Sequence, residues 1–110
     1  MQPKRIALLA KEAAEDKKAE EVVLLDVSKF TSLTHYFLIT HGNSDRHVKA
    51  IAQNIEDVLE AKKIKVLHSE GLQGGQWALL DFGSLIAHVF YKDTRKFYNL
   101  ERLWGEAPRL

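Results

Sequence analysis

The residues most suited to chemistry in this 110-residue sequence are its five histidines, because an imidazole can bind a metal ion or transfer a proton near neutral pH. They are His35, His41, His47, His68 and His88. None belongs to an HxH pair or an HExxH motif, and no carboxylate repeats at ligand spacing near His41 and His47. The lack of cysteine removes thiolate nucleophiles, zinc ribbons, iron–sulfur ligands and disulfides. The sequence therefore predicts no metal, no cofactor and no catalytic residue.

A second candidate for chemistry is the segment Gly42-Asn43-Ser44-Asp45, which lies between a predicted strand and a predicted helix. Free backbone amides at a helix start can bind phosphate. The segment lacks the lysine and the glycine spacing of a Walker loop, and the Asp45 carboxylate competes with an anion. Asn43 or Ser44 is also a suitable helix cap. Ordinary capping is the favoured interpretation, and phosphate binding is the alternative.

The spacing of apolar residues predicts the elements that must position these side chains, in the order α-β-β-α-β-β-β-α. The predicted helices are 4–18, a second opened by 42–45 and running to about 63, and 94–104. The predicted strands are 21–27, 35–41, 64–67, 76–82 and 85–91. The fold class is α/β, on the border of α+β, with a mixed β-sheet of about five strands and flanking helices. We expect residues 1–110 to form one domain, since domains usually hold about 100–150 residues.

Strands 76–82 and 85–91 are predicted to form a hairpin around Gly83-Ser84. Because successive strand residues point to opposite faces, a two-residue turn determines which residues share a face. One face is wholly apolar and is expected to lie under the helices: Ala78, Leu80, Phe82, Leu85, Ala87 and Val89. The other face combines large apolar side chains with one acid and one imidazole: Trp77, Leu79, Asp81, Ile86, His88 and Phe90.

This second face allows two interpretations, because a carboxylate and a histidine are costly to bury without partners. In the first, a terminal helix covers the face and leaves Asp81 and His88 at its rim. In the second, the face is a docking surface for another protein or a second copy of the chain. Four large apolar side chains left in water form the kind of patch that marks a protein interface. The two polar residues favour the docking interpretation.

The charge balance restricts the class of partner. Sixteen Lys and Arg residues stand against fifteen Asp and Glu, a net charge of +1. General nucleic-acid binders carry a clear basic excess, because neutralising phosphates supplies most of their non-specific affinity. We therefore expect little direct nucleic-acid binding. No apolar run approaches the ~20 residues of a membrane span, and residues 1–18 lack the apolar centre of a signal peptide. The expected location is the cytoplasm, without a membrane partner.

Several ordered motifs run through almost the whole chain. They are VVLLDVS at 22–28, HYFLITHGNSDRHVKAIA at 35–52, EGL at 70–72, GQWALLDFG at 75–83, HVFY at 88–91 and FYNLERLWGEAP at 97–108. In these motifs the chain resembles the Iojap family, the ribosomal silencing factors. Three positions depart from the family pattern: His35 and Ser84, where Asp is common, and His47, where Gln is usual. These departures affect local polar contacts and not the resemblance.

The resemblance implies a nucleotidyltransferase-like fold without a transferase active site. Active transferases of that fold need a Gly-Ser turn followed by paired acids on the next strand. Gly42-Asn43-Ser44 resembles the turn, but strand 64–67, which includes Lys65, supplies no acid pair. The resemblance further implies binding to ribosomal protein fourteen of the large ribosomal subunit. Such binding would sterically block association with the small subunit and repress translation, for example under nutrient limitation.

The family's partner-binding residues correspond to the strand that begins at Trp77 and to its neighbours. The expected partner-binding residues are Trp77, Leu79, Asp81, His88, Phe90 and Tyr98. Trp77 is the expected buried anchor and Asp81 the expected partner of a basic residue. The free protein is either a monomer or a homodimer, formed through the same face or through the last helix with its apolar Phe97, Leu100 and Trp104. The alternative function is a nucleotide-binding or residual nucleotidyltransferase enzyme that uses the Gly42–Asp45 turn. An RNA-binding assembly factor is a third functional class, which the charge balance disfavours.

Overall fold

The computed structural model describes residues 1–110, which fold into a twisted five-stranded sheet with helices on both faces. The elements are α1 (Pro3–Asp16), β1 (Glu20–Asp26), β2 (Tyr36–Gly42), α2 (Asp45–Ala61), β3 (His68–Glu70), β4 (Trp77–Asp81), β5 (Leu85–Tyr91), α3 (Lys92–Tyr98) and α4 (Leu100–Leu103). The strand order is β1-β2-β5-β4-β3. Only the β2–β5 pair is parallel. The predicted mixed sheet of five strands with flanking helices is confirmed, and its architecture is α+β.

The first face of the sheet packs against α1 and α2. The spacing of α2 predicts one apolar stripe, in which Val58 is half-buried. The other five residues of the stripe are fully buried: Val48, Ile51, Ala52, Ile55 and Leu59. On α1 the buried side chains are mostly alanines, whose small size lets this helix lie close to α2. The apolar side of the β4–β5 hairpin completes this main core. Burial of these apolar surfaces is the principal stabilising force of the fold.

The second face carries a smaller core beneath the C-terminal segment. Its buried residues come from three strands, from the residue after β1 and from the C-terminal segment: Leu25, Val27, Phe37, Ile39, Phe90 and Ala107. The Trp104 ring meets Phe37 edge to face, with 5.1 Å between ring centroids. Beyond it the C-terminal residues run along β1, where the Asp26 N–H donates to the Pro108 carbonyl and the Leu110 N–H to the Leu24 carbonyl. These bonds cover an edge that would otherwise present free backbone groups.

The strand predicted at 64–67 is wrong. Residues 64–66 are not a strand, and the pairing begins with the Leu67 N–H, which donates to the Asp81 carbonyl at 2.8 Å. The antiparallel register aligns His68 with Asp81, so residues before 67 would have to pair beyond the end of β4, where the hairpin turns. The apolar Ile64 and Val66 instead pack against the main core from a loop.

The single helix predicted at 94–104 is also wrong. Asn99 has a φ of 45°, in the left-handed region, and separates α3 from α4. Asn tolerates this conformation better than most residues. The break directs Phe97 into solvent, where 82% of its surface is exposed, while Leu100 and Trp104 pack on the second core. The shared apolar side predicted for these three residues therefore does not form. None of the helices is long and apolar enough to cross a membrane.

Candidate docking face

The β4–β5 hairpin has the predicted register. Trp77 pairs with Phe90, Leu79 with His88, and Asp81 with Ile86, so these six side chains share one side, called the aromatic face below. The turn is closed by the Phe82 N–H, which donates to the Leu85 carbonyl at 2.8 Å. Gly83 adopts a φ of +88°, and its N–H donates to the Asp81 carboxylate at 2.8 Å. The two-residue turn at Gly83-Ser84 is thereby confirmed.

The aromatic face is covered at β5 and partly open at β4. Phe90 is fully buried and His88 is only 6% exposed, so the expectation that an imidazole keeps this face out of the interior is wrong for these two residues. The physical reason is that β5 is the central strand, with Phe37 of β2 on one side and Trp77 of β4 on the other. The covered part agrees with the first interpretation, except that His88 lies in the interior and not at the rim. For the open part, the docking interpretation stays a prediction.

The open part lies along β4 and the end of α3. Trp77, Leu79 and Asp81 are half-buried, while Tyr98, which projects from α3, is 49% exposed. A groove of about 240 Å³ runs beside them and is lined by Glu70, Gly71, Trp77 and Leu79. This part of the face offers aromatic and aliphatic surface beside a carboxylate.

Trp77 lies at the centre of an aromatic stack. Its ring centroid is 4.8 Å from that of its cross-strand neighbour Phe90 and 4.7 Å from that of Tyr98, with tilted ring planes. Aromatic pairs at these separations add about 0.5–1.5 kcal/mol beyond the area that they bury. The indole is thus held by one buried ring and one exposed ring.

His88 accepts a hydrogen bond from Trp77. The indole Nε1–H donates to His88 Nδ1 over 3.2 Å, which requires Nδ1 to be unprotonated and places the imidazole proton on Nε2. His88 Nε2 is buried and has no hydrogen-bond partner. Burial lowers the pKa of His88 to about 4, because the charged form loses its hydration. His88 is therefore neutral at neutral pH, which explains why the fold can bury it.

Arg95 is a buried residue of this region that the sequence analysis missed. Its Nη1 donates to the Glu21 carbonyl at 2.8 Å and lies 2.9 Å from His41 Nδ1, while its Nε donates to the Glu101 carboxylate at 2.9 Å. These bonds attach α3 and α4 to the bulged start of β1, where Glu21 has a φ of 45°. Burial, followed by the nearby Arg95 charge, lowers the pKa of His41.

Arg95 thereby helps to hold α3, and with it Tyr98, over the sheet. No sequence signal reveals this role, since Arg95 and Glu101 are six residues apart and an unbroken helix would not bring them together. Their contact depends on the reversal of the chain at Asn99. Arg95 is only 5% exposed, and its hydrogen-bond partners come from three other elements.

The helix start at Gly42–Asp45 is an ordinary cap, as the sequence analysis favoured. The Ser44 hydroxyl accepts from the His47 N–H at 3.0 Å, and His47 Nδ1 accepts from the Asn43 N–H at 3.0 Å. His47 Nε2 donates to the Lys17 carbonyl at 2.7 Å, consistent with the proton on that nitrogen. Two amides that could approach a phosphate are thus bonded to side chains of the protein itself.

The fold matches a solved structure along nearly the whole chain. A crystal structure of a protein from Chromobacterium violaceum superposes with a TM-score of 0.94 at 38% sequence identity, covering 96% of this chain and 88% of that one.

Sequence comparison defines the class more closely. The sequence model described as "Ribosomal silencing factor during starvation" matches residues 1–110. The ribosomal silencing factor of Bacillus subtilis is 45% identical over 108 residues, which cover 98% of this chain and 92% of that protein. A chloroplastic maize protein named Iojap is 34% identical over 86% of this chain and 41% of its own length. The chain belongs to the ribosomal silencing factor family, and the resemblance noted in its sequence motifs is confirmed.

Proposed function

We propose that this chain binds ribosomal protein fourteen of the large ribosomal subunit and so prevents the small subunit from joining. Translation would be repressed in this way, for example under nutrient limitation. Membership of the ribosomal silencing factor family supports a role on the ribosome in the cytoplasm. The observation that carries the proposal is the open part of the aromatic face, where Trp77, Leu79 and Tyr98 leave apolar surface in solvent beside Asp81.

The composition of this surface suits protein recognition. Tyr and Trp are enriched among residues that dominate binding energies, because they bury a large rigid area at a low entropic cost. Asp81 already accepts the Gly83 N–H through Oδ1, which orients its carboxylate. A basic residue of the ribosomal protein can pair with this oriented carboxylate at the rim of the contact. His88 and Phe90 would act indirectly, by supporting Trp77, since their burial leaves little surface for a partner.

The proposed mechanism is steric and needs no catalytic step. The folded chain measures 32 × 32 × 21 Å, so its smallest dimension is 21 Å. A body of this size, held on one subunit at a position where the other must approach, prevents close contact of the two. The required chemistry is therefore tight binding through one face, without a cofactor and without turnover.

The alternative, a nucleotide-binding or residual nucleotidyltransferase enzyme, has less support. Its candidate turn has amides bonded to His47 Nδ1 and to the Ser44 hydroxyl. The strand after α2 carries one carboxylate, Glu70, which lies 3.4 Å from His68. Paired acids for magnesium would need a second carboxylate on that strand. Titration calorimetry with magnesium and ATP tests this alternative, and saturable binding would support it.

The test of the proposed function is the Trp77→Ala variant. Loss of the anchoring ring should weaken binding to purified large subunits by about 30-fold or more, the range of a hot-spot residue. Leu33→Ala is the matched control, because it removes an apolar side chain that is 76% exposed and lies in the loop between β1 and β2. Co-sedimentation and a subunit-joining assay measure the effects. A folded Trp77→Ala protein that binds and blocks joining like the wild type would refute the proposal.

A further inference from the structure

We propose that His88 is a positioning residue, which orients the Trp77 indole and occupies its single polar group, so that Trp77 offers its partner a purely apolar surface. This inference rests on the proposed docking role of Trp77. It differs from the expectation drawn from the sequence, in which His88 itself contacts the partner. It also specifies the chemistry of the partner's site: an apolar pocket rather than a backbone carbonyl or a carboxylate at the indole N–H.

Two aromatic rings and one hydrogen bond hold the Trp77 indole. The ring centroids of Phe90 and Tyr98 lie 4.8 and 4.7 Å from that of Trp77, with ring planes tilted by 33° and 49°. These contacts restrain the indole but do not determine where its nitrogen points. The 3.2 Å bond from Nε1–H to His88 Nδ1 is directional and turns the nitrogen toward the buried imidazole. Only carbon atoms of the indole then remain for a partner.

His88 can serve as an acceptor because its imidazole is buried and neutral. The imidazole is enclosed by aromatic rings, with Phe37 edge-on at 5.2 Å and Phe90 stacked at 6.2 Å between centroids. Burial in these surroundings favours the neutral form, and the low pKa of His88 agrees with that. Since the indole N–H is only a donor, Nδ1 must carry the lone pair and Nε2 the proton. The position therefore requires one tautomer of a neutral imidazole.

The hydrogen bond to His88 restricts the chemistry of the partner's site. A tryptophan at an interface commonly donates its N–H to a carbonyl of the other protein. In this fold that donor is already bonded to His88, and a second acceptor would have to displace the imidazole from a buried site. A pocket lined by aliphatic or aromatic side chains fits the remaining surface of Trp77, because the indole N–H is already paired with His88. Trp77→Phe should therefore keep most of the binding that Trp77→Ala loses.

Nuclear magnetic resonance of the intact ¹⁵N-labelled chain tests the positioning role without any partner. We expect long-range ¹H–¹⁵N correlations at neutral pH to show His88 protonated at Nε2 and free at Nδ1. The Trp77 indole N–H resonance should shift in His88→Leu, which has no acceptor. It should stay near the wild-type position in His88→Asn, whose amide oxygen can take the place of Nδ1. The opposite tautomer, or an unshifted resonance in a folded His88→Leu protein, would overturn the proposal.

Binding to purified large subunits forms the second arm. His88→Leu should bind about 5- to 10-fold more weakly, the effect of losing one hydrogen bond of ordinary strength, while His88→Asn should stay within about 2-fold of the wild type. If Trp77→Ala binds normally, the proposed function fails, whatever the tautomer. If Trp77→Ala loses binding but His88→Leu does not, the positioning role alone fails. Should His88→Leu not fold, the wild-type tautomer and the binding of Trp77→Phe decide.

Discussion

At the scale of single residues, burial determines which chemistry a side chain can perform. Asp81 and His88 share one face of the hairpin, but Asp81 is half-buried at the rim and His88 lies in the interior. Asp81 keeps access to water and holds its own turn through the Gly83 N–H. His88 loses its charge and becomes a hydrogen-bond acceptor within an aromatic cluster. Two polar residues on the same face of the hairpin therefore have different roles.

The lowered pKa of His88 predicts a loss of stability in acid. Its pKa falls from the ordinary 6.5 to about 4, so the unfolded chain binds a proton here more readily than the folded one. The neutral imidazole therefore contributes fully above pH 6.5, and the contribution is lost as the pH falls from 6.5 through about 4. The full difference corresponds to about 3 kcal/mol. Urea unfolding across this pH range measures it.

The His88→Asn variant is the control for this pH effect. Asparagine does not titrate in this range. The free energy of unfolding of His88→Asn should therefore fall less between pH 6.5 and 4 than that of the wild type. Some decline should remain, because His41 also has a lowered pKa and loses stability in the same direction. Parallel pH profiles for the two proteins would contradict the assignment.

At the scale of elements, the open part of the aromatic face depends on the segments that flank β4. On one side α3 carries Tyr98 over Trp77 and is tied to β1 by Arg95. On the other side the loop 71–75 brings the chain from the edge strand β3 back into β4. Gly71 lies at a φ of +76°, with its Cα hydrogen against the Trp77 carbonyl. Neither segment belongs to the sheet, yet both shape the surface around Trp77.

Gly71→Ala should disturb the start of β4 and, with it, the open part of the aromatic face. A Cβ at this position would lie 1.9 Å from the Trp77 carbonyl oxygen, and the left-handed backbone alone costs about 1–2 kcal/mol for a residue with a side chain. We expect a loss of at least that much stability in urea unfolding and weaker binding to large subunits.

Gly74→Ala is the matched control for the loop. Gly74 lies in the same segment, but an added Cβ would come no closer than 3.9 Å to its surroundings, and its φ is not positive. This variant should differ from the wild type by less than about 0.5 kcal/mol, as is usual for surface substitutions. Equal effects of the two substitutions would show that the close approach at Gly71 is unimportant.

At the scale of the whole molecule, the charge and the sheet edges determine what the chain can bind. Sixteen basic and fifteen acidic residues leave a net charge of only +1, so no strong field attracts a phosphate backbone. One sheet edge is paired with the C-terminal residues and the other is a strand of three residues. Short or covered edges limit unwanted strand pairing. These features disfavour strand pairing and a nucleic-acid partner, and they agree with the proposed use of the aromatic face.

The charge balance predicts that binding to large subunits depends little on salt. A protein that neutralises six to ten phosphates loses about 10³–10⁵ in affinity between about 50 and 200 mM salt. We expect less than about a tenfold loss over this range, because apolar contacts are not screened by ions. Co-sedimentation at several salt concentrations measures the slope. A steep slope would instead support an RNA-binding assembly factor.

Much of the fold follows from local pattern alone. Helix α2 follows from the spacing of Val48, Ile51 and Ile55, and the hairpin follows from Gly83-Ser84 between two runs of alternating residues. The strand placed at 64–67 and the unbroken last helix were wrong, because both depended on partners elsewhere in the chain. Pairing for β3 is limited by where β4 ends, and the break at Asn99 brings Glu101 to Arg95. Local periodicity does not contain either constraint.

The sequence by itself determined the family, the helix and strand types and which residues share the aromatic face. These properties are local, since side chains alternate along a strand and recur every three or four residues along a helix. Only the tertiary structure decided which part of that face is open. Exposure depends on what packs above each residue: the central position of β5 and its neighbours bury His88 and Phe90, while the β4 side near the sheet edge leaves Trp77, Leu79 and Asp81 within reach of a partner.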